Sequence, residues 1–575
     1  MDRLIIFLLL AFIGKLQGQA ATENSFSKKL LSTTSETIFL HTNATTFVTG
    51  ETLFYNVSCM NSAGLTKSEI SKIAYVELID SDKKAVFMHK LFLENGLANS
   101  DFFINPTLIS GNYTLVSYTK WMLNKPENNA FLTNISIINP FETQPSKNVL
   151  SQQTTDTIYK NFKSISITDK NVLMATNKTV FEKRQEVVVK LTTLNPEISS
   201  GNYCISVRKL ENLPTIRKPT AYDFAASNED IPILVNQKTL LPEFRGEIIS
   251  GTITATNNKN NIDKISVSLS LVGKNFDFKI VKTDINGKFR FCLDKKYANS
   301  EVVVQVFDDN KDQYAISLDR SEGYKLANVP KKLVLNPSLK NAIIERSIAS
   351  QIENVYFVKK TDSLVNGATL IPFFGSITKE YVLDNFNRFP TVEETITEIL
   401  KEVHFQKRRN KYEIFLVDYD PNVNLKEKPL VLVDGLPLQD LNPLFEFPVN
   451  KIQKANVFNQ GYFYGDVVFN GIVSLTTKNN DFEFVNNGRY FIKTPIQAPQ
   501  PDKIYFKQQY TEESKNERTP DYRNQLLWLP TLKNLSSNPK IAFFTSDISG
   551  EFEIVLEGFS SNGLPIYLRQ FFEVR

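Results

Sequence analysis

The chain has 575 residues, 42% apolar content and a formal net charge of +4. Such a length supports about four to six domains with several cores, and so small a charge excludes an extended nucleic-acid footprint. The 43 Phe and 21 Tyr, with frequent Val, Ile and Thr, favour strands; Cys59, Cys204 and Cys292 fall in three predicted domains, too few for a disulfide framework, and read as small buried hydrophobes.

Residues 1–20 read as a secretory signal. Arg3 gives the positive start, residues 4–13 an apolar core too short to span a bilayer, and Gly18-Gln19-Ala20 the small cleavage residues. No other segment approaches the ~20 apolar residues of a membrane helix. No Cys lies near the cleavage site to carry a lipid. The expectation is an exported, periplasmic protein associated with the outer membrane, without a membrane span of its own.

A β-sandwich is expected over residues 36–141. Ile38-Phe39-Leu40 opens it, and Gly50-Glu51-Thr52-Leu53-Phe54-Tyr55-Asn56-Val57, residues 74–78 and residues 85–93 follow as apolar-rich strands. These residues resemble the second domain of the macroglobulin family, with Thr49-Gly50-Glu51 where that family often has Pro-Gly. The family's thioester motif, CGEQ, is absent from the sequence, so protease trapping does not carry over.

A turn–strand motif then recurs. Ser110-Gly111-Asn112-Tyr113 is echoed by Ser200-Gly201-Asn202-Tyr203, Asn286-Gly287-Lys288-Phe289 and Ser549-Gly550-Glu551-Phe552. Each reads as a tight turn, with Gly supplying positive φ, that enters a half-buried strand. The spacing predicts separate sandwiches: a second over 156–227, a third over 228–322 and a last over 482–575. In the third, Ser250-Gly251-Thr252-Ile253 and Thr283-Asp284-Ile285-Asn286-Gly287-Lys288-Phe289 resemble the carboxypeptidase regulatory-like domain, a module with no catalytic residues of its own.

Between them the period changes. Leu339, Ile343, Ile344, Ile348 and Ile352 recur at helical spacing, predicting a connecting helix over 333–356. A small α+β domain is expected over 365–480. Its helix starts at Thr391 with Glu394 as a capping box, carries Val392, Ile396, Ile399, Leu400 and Val403 as a core stripe, and ends at His404. Leu430-Val431-Leu432-Val433 reads as a buried strand closed by an Asp434-Gly435 turn; residues 452–458 and 472–475 are further strands. This stretch resembles the plug of TonB-dependent receptors, with Phe469-Asn470-Gly471 where plugs usually have a Gly pair. No TonB box is legible in residues 21–36, so coupling to TonB is not expected.

The plug resemblance implies a channel, yet 97 residues follow Lys478. A transporter barrel of about 22 strands needs on the order of 200 residues before loops. The expected fold class is mainly β: tandem immunoglobulin-like or macroglobulin-like sandwiches plus one small α+β plug-like domain, expected to act on a barrel encoded elsewhere.

Chemistry is sparse. His41, His89 and His404 are the three His; they form no short-spaced metal set, and no nucleophile elbow, P-loop or dinucleotide fingerprint occurs. Asp80, Asp82 and Asp308-Asp309-Asn310 read as turns, and Lys407-Arg408-Arg409 with Lys411 as a solvated turn. No catalytic, cofactor or metal residue is expected. Gln460, Tyr462, Phe463 and Tyr464, in a glycine-bracketed loop, are the candidate partner contact, because adjacent aromatics are costly to expose; packing on the domain's own sheet is the alternative. A second dense patch, Arg518 to Arg523 with Leu526-Leu527-Trp528-Leu529-Pro530, reads as a seam between domains.

The leading expectation is a non-enzymatic periplasmic protein that docks on an outer-membrane β-barrel, of a secretion translocon or a transporter, and plugs or gates it. Among known systems it looks most like the plug component of the type nine secretion translocon of Bacteroidetes-type bacteria. The alternative is a surface or periplasmic binding or adhesion protein using its sandwiches; a hydrolase hidden in a sandwich has no motif in its favour.

Overall fold

The computed structural model describes residues 35–575 except 126–129, 144–145, 152–165, 211–212, 214, 234–238, 258–259, 274, 321–322, 366–371, 376–378, 418–427, 484–485 and 536–539. The signal-peptide segment lies outside the described residues. The protein is mainly β, built of many small sheets in tandem sandwiches with few helices. Among the described residues, no helix is long and apolar enough to cross a membrane. The chain divides into two compact units, one of Met1–Gly246, Gly323–Val365 and Gln500–Arg575, the other of Glu247–Glu322 and Asn366–Pro499.

The first unit opens with a sandwich. Strands Glu36–Thr42, Thr52–Asn61 and Leu97–Phe103 form one sheet; Thr46–Val48, Phe131–Ile138, Gly111–Tyr118, Ile73–Ile79 and Ala85–Phe92 form the other. Period-2 alternation sends Leu53, Tyr55, Val57 and Cys59 of one strand into the core, where they meet Val76, Leu78, Leu115 and Ile135.

The second sandwich corrects the expected domain order. Val172–Thr176, Glu186–Thr193 and Lys540–Phe544 form one sheet; Val180–Phe181, Pro565–Val574, Gly550–Ser560, Ser200–Lys209 and Gln525–Asn534 form the other. Segments 156–227 and 482–575, expected as two sandwiches, thus contribute four strands each to one. The reason lies in burial. Tyr203, Ile205 and Val207 share one core with Val187 and Val189 and with Phe543, Phe552, Ile554 and Leu556 of the C-terminal segment. A hairpin motif announces a strand and leaves its partner unnamed.

Two of the four motif glycines also act otherwise than expected. Gly287 and Gly550 take positive φ, of 71° and 134°. Gly111 and Gly201 sit in strands without it. A Cβ on Gly201 would lie 2.5 Å from the Phe559 carbonyl oxygen, so close strand approach is what excludes a side chain there.

Among the described residues, two helices complete the unit. Helix α1, Ala221–Ser227, starts at Thr220 with a full capping box to Asp223. Helix α2, Lys340–Val355, follows a short strand, Leu333–Leu335, and a 3-10 turn. Cys59 and Cys204 are buried, whereas Cys292, in the other unit, is half-buried.

In the second unit, Lys288–Leu293, Glu247–Ala255 and Tyr314–Leu318 face a sheet of Asp277–Lys282, Ser266–Leu271, Glu301–Val306 and Phe491–Pro495. The last strand was expected in the C-terminal sandwich; it pairs with Glu301–Val306 instead. The segment expected to be plug-like holds a five-stranded mixed sheet in the order Lys379–Val382, Ile452–Phe458, Ile472–Thr477, Leu430–Val433, Leu436–Pro437. Leu430–Val433 runs parallel to Ile472–Thr477, with Val433 beside Leu475. Helix α3, Val392–Glu398, covers the sheet through Val392 and Ile396. The Thr391 hydroxyl accepts from the Glu394 N–H.

His404 does not end that helix. It lies in strand Val403–Arg408, opposite Phe415 of Lys411–Leu416. Val403 is buried in the same core as α3, so the helical spacing ran unbroken through a change of element. Lys407, Arg408, Arg409 and Lys411 are exposed around a hairpin turn in which Arg409 and Asn410 have φ of 49° and 61°.

Candidate functional site

The Tyr462–Tyr464 strand pairs with Val467–Phe469 as a short ribbon, and Gln460 lies in the bend before it. The three aromatics divide by alternation. Tyr462 and Tyr464 point into the unit and donate hydrogen bonds from their hydroxyls, to the Phe373 carbonyl at 2.8 Å and the Phe278 carbonyl at 2.9 Å. Tyr464 packs edgewise on Phe373, and burial pushes its phenol up to about 12. Phe463 points the other way and is 71% exposed; Gln460 is exposed beside it. Two of the three aromatics thus anchor the ribbon on its own domain, and the third is exposed. The ribbon rests on the cluster of Phe278, Phe374, Leu430 and Phe469.

The Asp434-Gly435 turn fixes this sheet. Both residues take positive φ, 51° and 83°. The buried Asp434 carboxylate accepts from the Thr477 N–H at 2.8 Å and the Thr477 hydroxyl at 2.6 Å. A charged acceptor with two donors is the arrangement a buried carboxylate needs.

The first unit holds a cavity of about 340 Å³. Arg184, Lys359, Lys360, Lys507, Tyr510 and Asp521 give it its character. Most of these charges satisfy each other. Arg184 binds Asp547 through Nε and Nη2 at 2.6 and 2.7 Å and donates to the carbonyls of Lys515, Glu517 and Thr519. Lys360 donates to Glu353 at 2.8 Å and to Asp521 at 3.2 Å. Asp521 also accepts from both arms of Arg523 and from the Tyr510 hydroxyl, each at 2.7 Å. Burial raises Asp521, but Arg523 and Lys360 outweigh it and hold the carboxyl at about 2. Lys359 and Lys507 are exposed at the rim. Sequence reading singled out Asp521 and Arg523 as part of a seam; it missed the cavity, whose walls come from segments more than 300 residues apart.

The seam itself is real: Trp528 stacks on His41 and Phe54 of the first sandwich, and Asn56 donates to the Pro530 carbonyl at 2.8 Å. Beside it, the His41 Nδ1 meets the Glu557 carboxylate, which accepts from the Ala221 N–H at 2.8 Å. Lys218 lies 3.5 Å from Glu557. Burial, then Lys218, push the imidazole down against the pull of Glu557. His41 and Glu557 are wholly enclosed, so the group ties α1 to both sandwiches and presents no reactive atom to solvent. Among the described residues, no group of three or more His, Cys, Asp or Glu is arranged to hold a metal ion. Asp80 and Asp308 accept from nearby backbone N–H groups within their own turns.

The sequence matches no protein-family model and no curated protein. Solved structures give distant likeness. An Escherichia coli alpha-2-macroglobulin activated by porcine elastase is 9% identical at a TM-score of 0.21, over 94% of this chain and 43% of that one. A mutant Salmonella alpha-2-macroglobulin is 11% identical at 0.16, over 94% and 23%. A tetra-tandem repeat from the extending region of a large adhesion protein is 8% identical at 0.13, over 94% and 99%. The chain spans less than half the length of these macroglobulins. TM-scores this low carry no argument about fold or function.

Proposed function

We propose that the chain is a non-catalytic exported protein that docks on an outer-membrane β-barrel from the periplasmic side and fills or gates its pore through the plug-like segment 365–480. The observation that carries the reading is the Tyr462–Tyr464 ribbon. Phe463 is presented to solvent while Tyr462 and Tyr464 lock the ribbon to the body behind it. A rigidly backed aromatic is the kind of residue that dominates binding energy at interfaces, because little side-chain freedom is lost on contact. The sequence likeness to receptor plugs, with its VLVDG strand-turn, supports a barrel as the partner. The macroglobulin-like and carboxypeptidase regulatory-like sandwiches are then struts, and the type nine secretion translocon is the system whose plug component this build suits.

The test is co-isolation. Tagged protein purified from detergent-solubilised envelopes should bring a large barrel with it, and Phe463→Asp should release that barrel without changing thermal stability. Unchanged outer-membrane permeability and secretion in a strain lacking the protein would overturn the proposal.

A further inference from the structure

Helix α2 is packed inside out. Its buried residues are Arg346, Ser347, Ala349 and Ser350. Arg346 makes a two-armed ion pair with Glu51 at 2.7 and 2.8 Å and donates to the Thr46 carbonyl at 2.8 Å. Ile344, Ile348 and Val355 face out, at 41%, 50% and 75% exposed, while Ile343 and Ile352 are half-buried; past the helix end Phe357 is 58% and Val358 85% exposed. At about 100° per residue, Ile344, Ile348 and Val355 fall within roughly 40° of arc, opposite the buried face. Their spacing, with Gln351 in the intermediate place, is that of a coiled-coil seam carrying one polar position. Beyond its C-terminal end, the stripe borders the cavity rim. There Lys359 and Lys507 stand exposed and form no ion pair among the described residues, with Glu517 as the one exposed acid lining the cavity.

We propose that this face docks an amphipathic helix of a partner protein, antiparallel to α2 and with an acidic first turn. Antiparallel packing brings the partner's N-terminal turn to Lys359 and Lys507. Acidic residues are favoured in a first turn by the helix dipole and would there also meet the two lysines. A second copy of α2 does not fit. Its own first turn holds no acid, and antiparallel pairing would set Lys340 near Lys359. A bilayer fits less well, because interfacial helices present a broad apolar face, whereas this stripe is narrow, carries the polar Gln351 within it and is flanked by Asn341 and Glu345.

The experiment titrates the full chain into a labelled synthetic helix with Leu at four–three spacing and Glu in its first turn, and into a twin with Lys there. The Glu peptide should bind at least tenfold tighter, and the gap should narrow with salt. Ile348→Glu with Val355→Glu should abolish binding while the melting temperature stays put, and Lys359→Glu with Lys507→Glu should reverse the preference. Equal or absent binding of the two peptides would overturn the proposal. So would a dimer in sedimentation that Ile348→Glu dissolves, or Ile348-dependent cosedimentation with phosphatidylglycerol vesicles.

Discussion

His89 is a residue whose environment sets a pH dependence. Its Nδ1 shares a hydrogen bond with the Tyr55 hydroxyl at 2.6 Å. Burial, helped by Lys503, lowers the imidazole from 6.5 to about 4. A depressed value means the folded state prefers the neutral ring. That stability is complete above pH 6.5 and is lost as pH falls toward 4, by about 3 kcal/mol. Urea titrations at pH 7 and pH 4.5 should show the loss for the first unit, and His89→Gln should flatten it. Asp434 is the corresponding anchor of the second unit's five-stranded sheet. Removing its carboxylate in Asp434→Ala strands the Thr477 N–H in a dry site, which should cost about 3 kcal/mol in the second unit's unfolding free energy. Asp434-Gly435 was legible as a tight turn because Asp-Gly is one of the few pairings that tolerate two positive φ values cheaply. The Thr477 partner, 43 residues away, carried no signal of its own.

At the scale of elements, α2 separates packing from display. Arg346→Ala leaves Glu51 buried without its two-armed partner and should cost about 3–5 kcal/mol. Ile348→Glu should change stability by no more than about 0.5 kcal/mol, since its side chain meets solvent. Chemical denaturation of both variants checks the contrast. The helix could be read from Ile343, Ile344, Ile348 and Ile352, but which face was buried could not. Apolar spacing ordinarily marks the core side, and here an ion pair to Glu51 holds the opposite side. The same blindness put His404 on a helix. Val403 continues the spacing of Ile396, Ile399 and Leu400, yet the chain has already become a strand.

At the scale of the molecule, sequence distance hid the main architectural fact. The strands entered at Ser200-Gly201-Asn202-Tyr203 and Ser549-Gly550-Glu551-Phe552 were legible as strands, because alternation is local. Their pairing is not local, and nothing in Ser200-Gly201-Asn202-Tyr203 names Gly558 as a neighbour. One consequence follows for truncation. A chain ending at residue 499 should lose the fold of 172–209, detected as amide exchange without protection there, and supplying residues 500–575 as a separate chain should restore it. Protection surviving in the truncated chain would show that the half-sandwich stands alone.

The central claim is that a presented aromatic on a plug-like unit meets a barrel. A photo-crosslinking amino acid at position 463, used in living cells, tests it most directly. The account predicts a single heavy adduct whose second component is an outer-membrane β-barrel, absent when the crosslinker is moved to the inward-facing position 464. Adducts with soluble proteins alone, or none at position 463, would contradict it.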